Sequence, residues 1–208
     1  MTVSSVAQLM LLFVGAALVN NILLTRFIAL CSFFGISNDM HTSIGMSLAV
    51  IFVMMMASTA TWLFYYFLLK PLGVGEFLYI PAFILVIAAL VQFVEMYLRK
   101  YSPALYRAMG IYLPLITTNC AVLAAATEAV KPGFFKMGMP YNCTLGENLI
   151  YTLGVACGYG FALVSFTAMR ERLELAPVPE WLKGSPMAFI TAGLLSLGYI
   201  GLGSLFGL

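Results

Sequence analysis

The stretch that decides the fold is LVNNILLTRF, residues 18–27. It sits in the middle of an apolar run from Val6 to Ile36. Those 31 residues would make a straight helix roughly 46 Å long, half as long again as a 30 Å hydrocarbon core. Such a helix must tilt, protrude or break. Asn20 and Asn21 place two amides at lipid depth, with Arg26 five residues later. Polar groups there are costly and face a partner or a cavity. The spacing predicts a helix broken at Asn20 and Asn21.

Composition agrees that the surroundings are lipid. The 208 residues are 62% hydrophobic and 9% charged, with a mean hydropathy of +1.01. A water-facing surface needs far more charge, about a quarter of all residues. The fold class is therefore all-α, a polytopic membrane protein. The apolar runs exceed the roughly 10-residue alternating segments of a membrane barrel. Six runs stand out: Val6–Ile36, Ile44–Leu69, Phe77–Leu98, Leu105–Ala129, Asn148–Ala168 and Pro186–Phe206. They use the whole chain, so one integral membrane domain spans 1–208. The first run lacks a basic leader and reads as a retained span.

Several functions are excluded. A net charge of +2 without a basic cluster offers nucleic acid nothing. No phosphate-binding glycine loop or HExxH motif occurs. His41 is the only histidine, which excludes a histidine-rich metal site. Lys70, Lys131 and Lys136 fall on the side of the termini. Arg99, Lys100, Arg107, Arg170, Arg172 and Lys183 fall on the other side. Three against six predicts both termini outside.

The fourth run carries a second odd stretch, PLITTNC at 114–120. Pro114 removes a donor and kinks or breaks its helix. Thr117, Thr118 and Asn119 can satisfy the freed backbone. A Pro-kinked helix with polar residues facing its neighbours is the plain alternative. ALVNNILL around Asn21 can be laid over LITTNCAVL around Asn119. Each stretch opens a set of three spans, and three is odd, so the second set is inverted relative to the first. The expectation is two inverted three-helix repeats, about 1–100 and 101–208, with spans 1 and 4 broken near mid-membrane. That is a transport-type architecture.

Four cysteines occur, Cys31, Cys120, Cys143 and Cys157, with no CxxC pair. Cys157 lies in GVACGYG, where Gly154, Gly158 and Gly160 read as helix-packing positions and the thiol as a small apolar group. Cys31 and Cys120 each lie in an odd span. In continuous helices Cys31 sits near the cytoplasmic end and Cys120 roughly 22 Å from that face. Only broken spans let the two thiols meet. Two thiolates are too few for an iron–sulfur cluster, which takes four ligands. Either Cys143 and Cys157 join, or a partner chain supplies two more. Glu95 and Arg99, four apart, read as an ordinary helix pair.

The segments LVNNILLTRFIALCSFFG (18–35), LYRAMGIYLPLITTNCAVL (105–123), RERLELAPVPEWLKG (170–184) and FITAGLLSLGYIGL (189–202) resemble the RnfA/NqrE family of membrane subunits. The resemblance covers nearly the whole chain. The TTNC form is more similar to the Rnf branch than to the Nqr branch. The loop KPGFFKMGMPYNC (131–143) is less typical, and Cys143 has no place in the family pattern.

The resemblance implies a six-span inverted-repeat subunit of the bacterial inner membrane, paired with a homologous subunit of opposite topology. It implies a [2Fe–2S] cluster at their interface, with Cys31 and Cys120 as this chain's two ligands. A buried cluster needs hydrogen bonds and positive charge around it, which Asn21, Thr118 and Asn119 as donors and Arg26 as a cation could give; Arg26 could instead line a cavity or snorkel to the interface. FMN and further iron–sulfur clusters would belong to other subunits. The complex would exchange electrons between ferredoxin and NAD, coupled to Na⁺ or H⁺ movement. The chain is then a translocase subunit, not catalytic alone. An Nqr-type subunit of a sodium-pumping NADH:quinone reductase is the near alternative. A different class is a stand-alone secondary transporter, binding its substrate at Asn20, Asn21, Thr117 and Asn119. A purely structural subunit is the third.

Overall fold

The computed structural model describes residues 9–10, 12–19, 21–37, 39–69, 71, 78–101, 119–130, 145–175, 177, 179, 182 and 184–205. Asn20, Pro114, Thr117, Thr118 and Cys143 lie outside them. All regular structure among the described residues is helical. A first helical stretch closes in a π-helix, Gly15–Val19. After it come α1 (Leu30–Ile36), α2 (Met40–Phe64), α3 (Tyr79–Tyr101), α4 (Cys120–Val130), α5 (Leu145–Glu174) and α6 (Ser185–Leu205). A second π-helix, Tyr65–Leu69, continues α2.

Among the described residues, three helical segments are long and apolar enough to cross a membrane: Met40–Leu69, Tyr79–Met96 and Leu145–Leu173. Ser185–Gly201 is a shorter apolar helix. The helices overrun the apolar runs. α2 starts four residues before Ile44, and α5 runs on through RERLE. Hydropathy marks where lipid is tolerated. The hydrogen-bond ladder continues past that limit as long as nothing interrupts it.

The chain packs as two compact units. One combines Met1–Ile51 with Gly154–Leu208, and the other is Phe52–Leu153. In the first unit, the opening span lies along α5 at very close range. A Cβ on Gly154 would stand 2.9 Å from the Phe13 carbonyl oxygen, and one on Gly158 would stand 2.5 Å from that of Ala17. Only glycine lets the backbones approach this far, which is how helices associate where lipid removes the hydrophobic drive. The glycines thus do the packing their spacing implied.

The order of contacts gives the directions. Phe13 meets Gly154, Ala17 meets Gly158, and Phe33 meets Phe166, so the first span runs parallel to α5. Ser43 bonds Thr167 at 2.8 Å and Ser47 faces Gly160, so α2 runs antiparallel to α5. Leu24 meets Ser196 and Phe34 meets Phe189, so α6 runs antiparallel to the first span. The first helical stretch and α5 thus share a direction that α2 and α6 oppose.

In the second unit, α3 packs against α4, with Leu69, Tyr79, Phe83 and Val130 forming its apolar centre. Ser58 of α2 bonds Asn148 at 2.9 Å and Thr152 at 2.8 Å on α5. These buried rungs exchange bonds that water cannot supply inside a bilayer.

Candidate functional site

Helix stops after Val19 and does not resume until Leu30. From Asn21 to Ala29 the chain is a compact irregular segment. Asn21, Ile22, Leu23, Leu24 and Ala29 are buried. Phe27 and Ala29 hold left-handed backbone, φ 53° and 70°. Non-glycine residues in that region cost on the order of 1 kcal/mol each and persist where the surroundings impose them.

The imposing groups are visible. Asn21 Oδ1 accepts the Leu23 N–H at 3.1 Å, and Asn21 Nδ2 donates to the Gly158 carbonyl at 2.7 Å. A longer contact of 3.5 Å joins Nδ2 to the Ala17 carbonyl. The Thr25 hydroxyl donates to the Asn21 carbonyl at 2.6 Å. From α6, the Ser196 hydroxyl donates to the Leu24 carbonyl at 2.7 Å. Each bond replaces one that the broken helix gave up. Irregular backbone at membrane depth survives only where protein satisfies it in this way.

Beyond the break, Cys31 is the second residue of α1, and its side chain is exposed. Arg26, inside the break, is half-buried.

Near the second cysteine an asparagine again accepts the backbone N–H two residues on. Asn119 is non-helical and buried, and its Oδ1 accepts the Ala121 N–H at 3.0 Å. Helix α4 starts at Cys120. That helix is enclosed, with Ala121, Val122, Ala124, Ala125, Ala126, Thr127, Glu128 and Val130 all buried. Cys120 is exposed on it. Cysteine is among the residues most often buried, so an exposed thiol on an enclosed helix is an unusual placement. Cys157, by contrast, is half-buried on α5.

No group of three or more metal-ligating side chains forms among the described residues. A complete metal centre is therefore not built from them. Each exposed thiol, taken by itself, is a soft donor of the kind that iron takes in a cluster.

Residues 9–206 match the profile of a family described as "Rnf-Nqr subunit, membrane protein". The chain belongs to this family. It is 47% identical to a protein of Syntrophotalea carbinolica over 198 residues, 95% of this chain and 97% of that one. A protein of Aromatoleum aromaticum is 48% identical over 197 residues, 94% and 96% of the two chains. One from Vibrio atlanticus is 46% identical over 194 residues, 93% and 96%. All three are named as the A-type member of an ion-translocating oxidoreductase complex. The resemblance read from LVNNILLTRF and PLITTNC is borne out, and so is its leaning to the Rnf branch.

Sequence reasoning missed two side chains that hold the backbone around the break and α1. Arg170 counted only as a basic residue, yet its Nη1 donates to the Phe34 carbonyl at 3.2 Å and to the Ser37 hydroxyl at 2.5 Å. Ser196 was passed over, yet its hydroxyl donates to the Leu24 carbonyl. A lone hydroxyl in an apolar run is itself a signal that some backbone group needs a donor.

Proposed function

We propose that this chain is a membrane subunit of an Rnf-type ion-translocating oxidoreductase, which exchanges electrons between ferredoxin and NAD and moves Na⁺ or H⁺. It lies in the bacterial inner membrane with both termini outside. Cys31 and Cys120 each give a thiolate to a [2Fe–2S] cluster, and a homologous subunit of opposite topology gives the other two. When bound, that group supplies one-electron transfer across the membrane. FMN and the remaining iron–sulfur clusters sit in other subunits, where ferredoxin and NAD act.

The observation that carries the reading is the exposure of Cys120 on an otherwise enclosed helix, directly after a capping asparagine. Cys31 is likewise exposed, on the short helix that follows the break. The chain's own work is mechanical and electrostatic. Asn21 and Asn119 hold the backbone before each thiol. Arg26 and Thr118 offer charge and a hydroxyl to the thiolate-bound group.

Relatives named as members of an oxidoreductase complex favour this over a stand-alone transporter. So does Asn21, whose side-chain oxygen and nitrogen both bond to backbone within the chain.

The test is ferredoxin-dependent NAD⁺ reduction by membranes carrying Cys31→Ser, Cys120→Ser or Cys157→Ser. The first two are expected to lose the activity with the chain still inserted, and the third to retain it. Activity retained in Cys31→Ser or Cys120→Ser overturns the assignment.

A further inference from the structure

Helix α1 has seven residues and starts from a left-handed Ala29 that supplies no side-chain cap. A helix of that length is not stable on its own. Its position, and with it the position of Cys31, comes from what holds it. On the inner face, Phe33 stacks on Phe166 with centroids 3.9 Å apart and planes at 20°. Phe34 meets Phe166 edge-on and packs against Phe189 at 4.3 Å. Those contacts fix the rotation of α1 about its axis.

The remaining freedom is at the C-terminal end, where the last carbonyls of any helix lack partners. Arg170 of α5 takes that place. One guanidinium nitrogen donates both to the Phe34 carbonyl and to the hydroxyl of Ser37, the residue that ends the helix. A cation there is favoured by the carbonyl ends as well as by the hydrogen bonds. Phe34 lies three residues from Cys31, about 4.5 Å along the axis. With so short a lever, any shift at Phe34 is felt at the thiol.

We propose that Arg170 is a positioning residue for Cys31. It fixes the end of α1 through Phe34 and Ser37, and it holds a positive charge at the end of the short helix that carries the thiol. The proposal rests on the reading of Cys31 as a cluster ligand. A group held by four thiolates is net negative, and more so when reduced, so a nearby cation favours the reduced form and raises its potential.

The test is a redox titration of the assembled complex, followed by electron paramagnetic resonance on the [2Fe–2S] component that depends on Cys31. Arg170→Gln, which removes the charge, is expected to shift the midpoint to more negative potential and broaden the signal. Arg170→Lys, which keeps the charge but loses the guanidinium geometry, is expected to hold the wild-type potential with a broadened signal. A wild-type potential and line shape in Arg170→Gln overturns the proposal. If that variant does not assemble, Arg170→Lys and Ser37→Ala decide, since both disturb the tie and keep the charge. Broadening supports positioning, and a wild-type line shape in both overturns it. A wild-type complex with no Cys31-dependent [2Fe–2S] component overturns the ligand reading itself, a result told apart because it needs no Arg170 variant.

Discussion

Asn21 and Asn119 make the same local bond. Each side-chain oxygen accepts the backbone N–H two residues on, at 3.1 Å to Leu23 and 3.0 Å to Ala121. Each is buried; Asn119 directly precedes the exposed Cys120, and Asn21 opens the irregular segment that leads to the exposed Cys31. The two asparagines are the pair that the sequence overlay matched, and the side-chain oxygen explains the choice of residue. It caps backbone donors that a helix interruption leaves open.

Asn21 also donates across to the Gly158 carbonyl. Asn21→Ala removes both bonds, at about 1–3 kcal/mol in total. Asn21→Asp keeps the acceptor for Leu23 but sets a carboxylate oxygen against the Gly158 carbonyl, so it is expected to cost at least as much as Ala. Thermal unfolding of the detergent-solubilised complex checks both, and an Asp variant as stable as wild type contradicts the cross-helix bond.

Gly158→Ala meets backbone and not a flexible side chain, with Ala17 O at 2.5 Å from the new Cβ. The helices must separate, at about 1–3 kcal/mol. Gly146 has open space around the same position. Gly146→Ala is therefore expected to be neutral or slightly stabilising, since alanine is the better helix former. Comparing the yield and melting temperature of the two variants reads the difference.

Ala29 at φ 70° tolerates little beyond its methyl group. A β-branched side chain is a marked outlier in left-handed backbone. Ala29→Val is expected to disturb the segment before Cys31, whereas Ala29→Gly relieves strain of about 1 kcal/mol. The measurement is iron content per complex, which is expected to fall for Val and hold for Gly.

The break in span 1 was legible because it is local. Two adjacent amides and an overlong apolar run announce an interruption without any knowledge of neighbours. The packing role of Gly154 and Gly158 was legible for the same reason, from spacing on one helix. The ends of α2 and α5 were not, since hydropathy stops at the lipid boundary and hydrogen bonding does not. The ties from Arg170 to Phe34 and Ser37, and from Ser196 to Leu24, join residues 136, 133 and 172 positions apart. No local pattern encodes such a pairing, because the donor's neighbours say nothing about which distant carbonyl lacks a partner. The outward turn of Cys120 was also hidden. Its helix buries Thr127 and Glu128 along with its apolar residues, so no polar stripe marks the face that carries the thiol.

The most direct test of the account is low-temperature electron paramagnetic resonance on the dithionite-reduced complex, with wild type beside Cys31→Ser and Cys120→Ser and iron counted per complex. The account predicts one [2Fe–2S] component present in wild type and missing from both variants, with two fewer iron atoms in each. Spectra and iron content unchanged in an intact complex would contradict it, leaving both thiols without a part in the electron path.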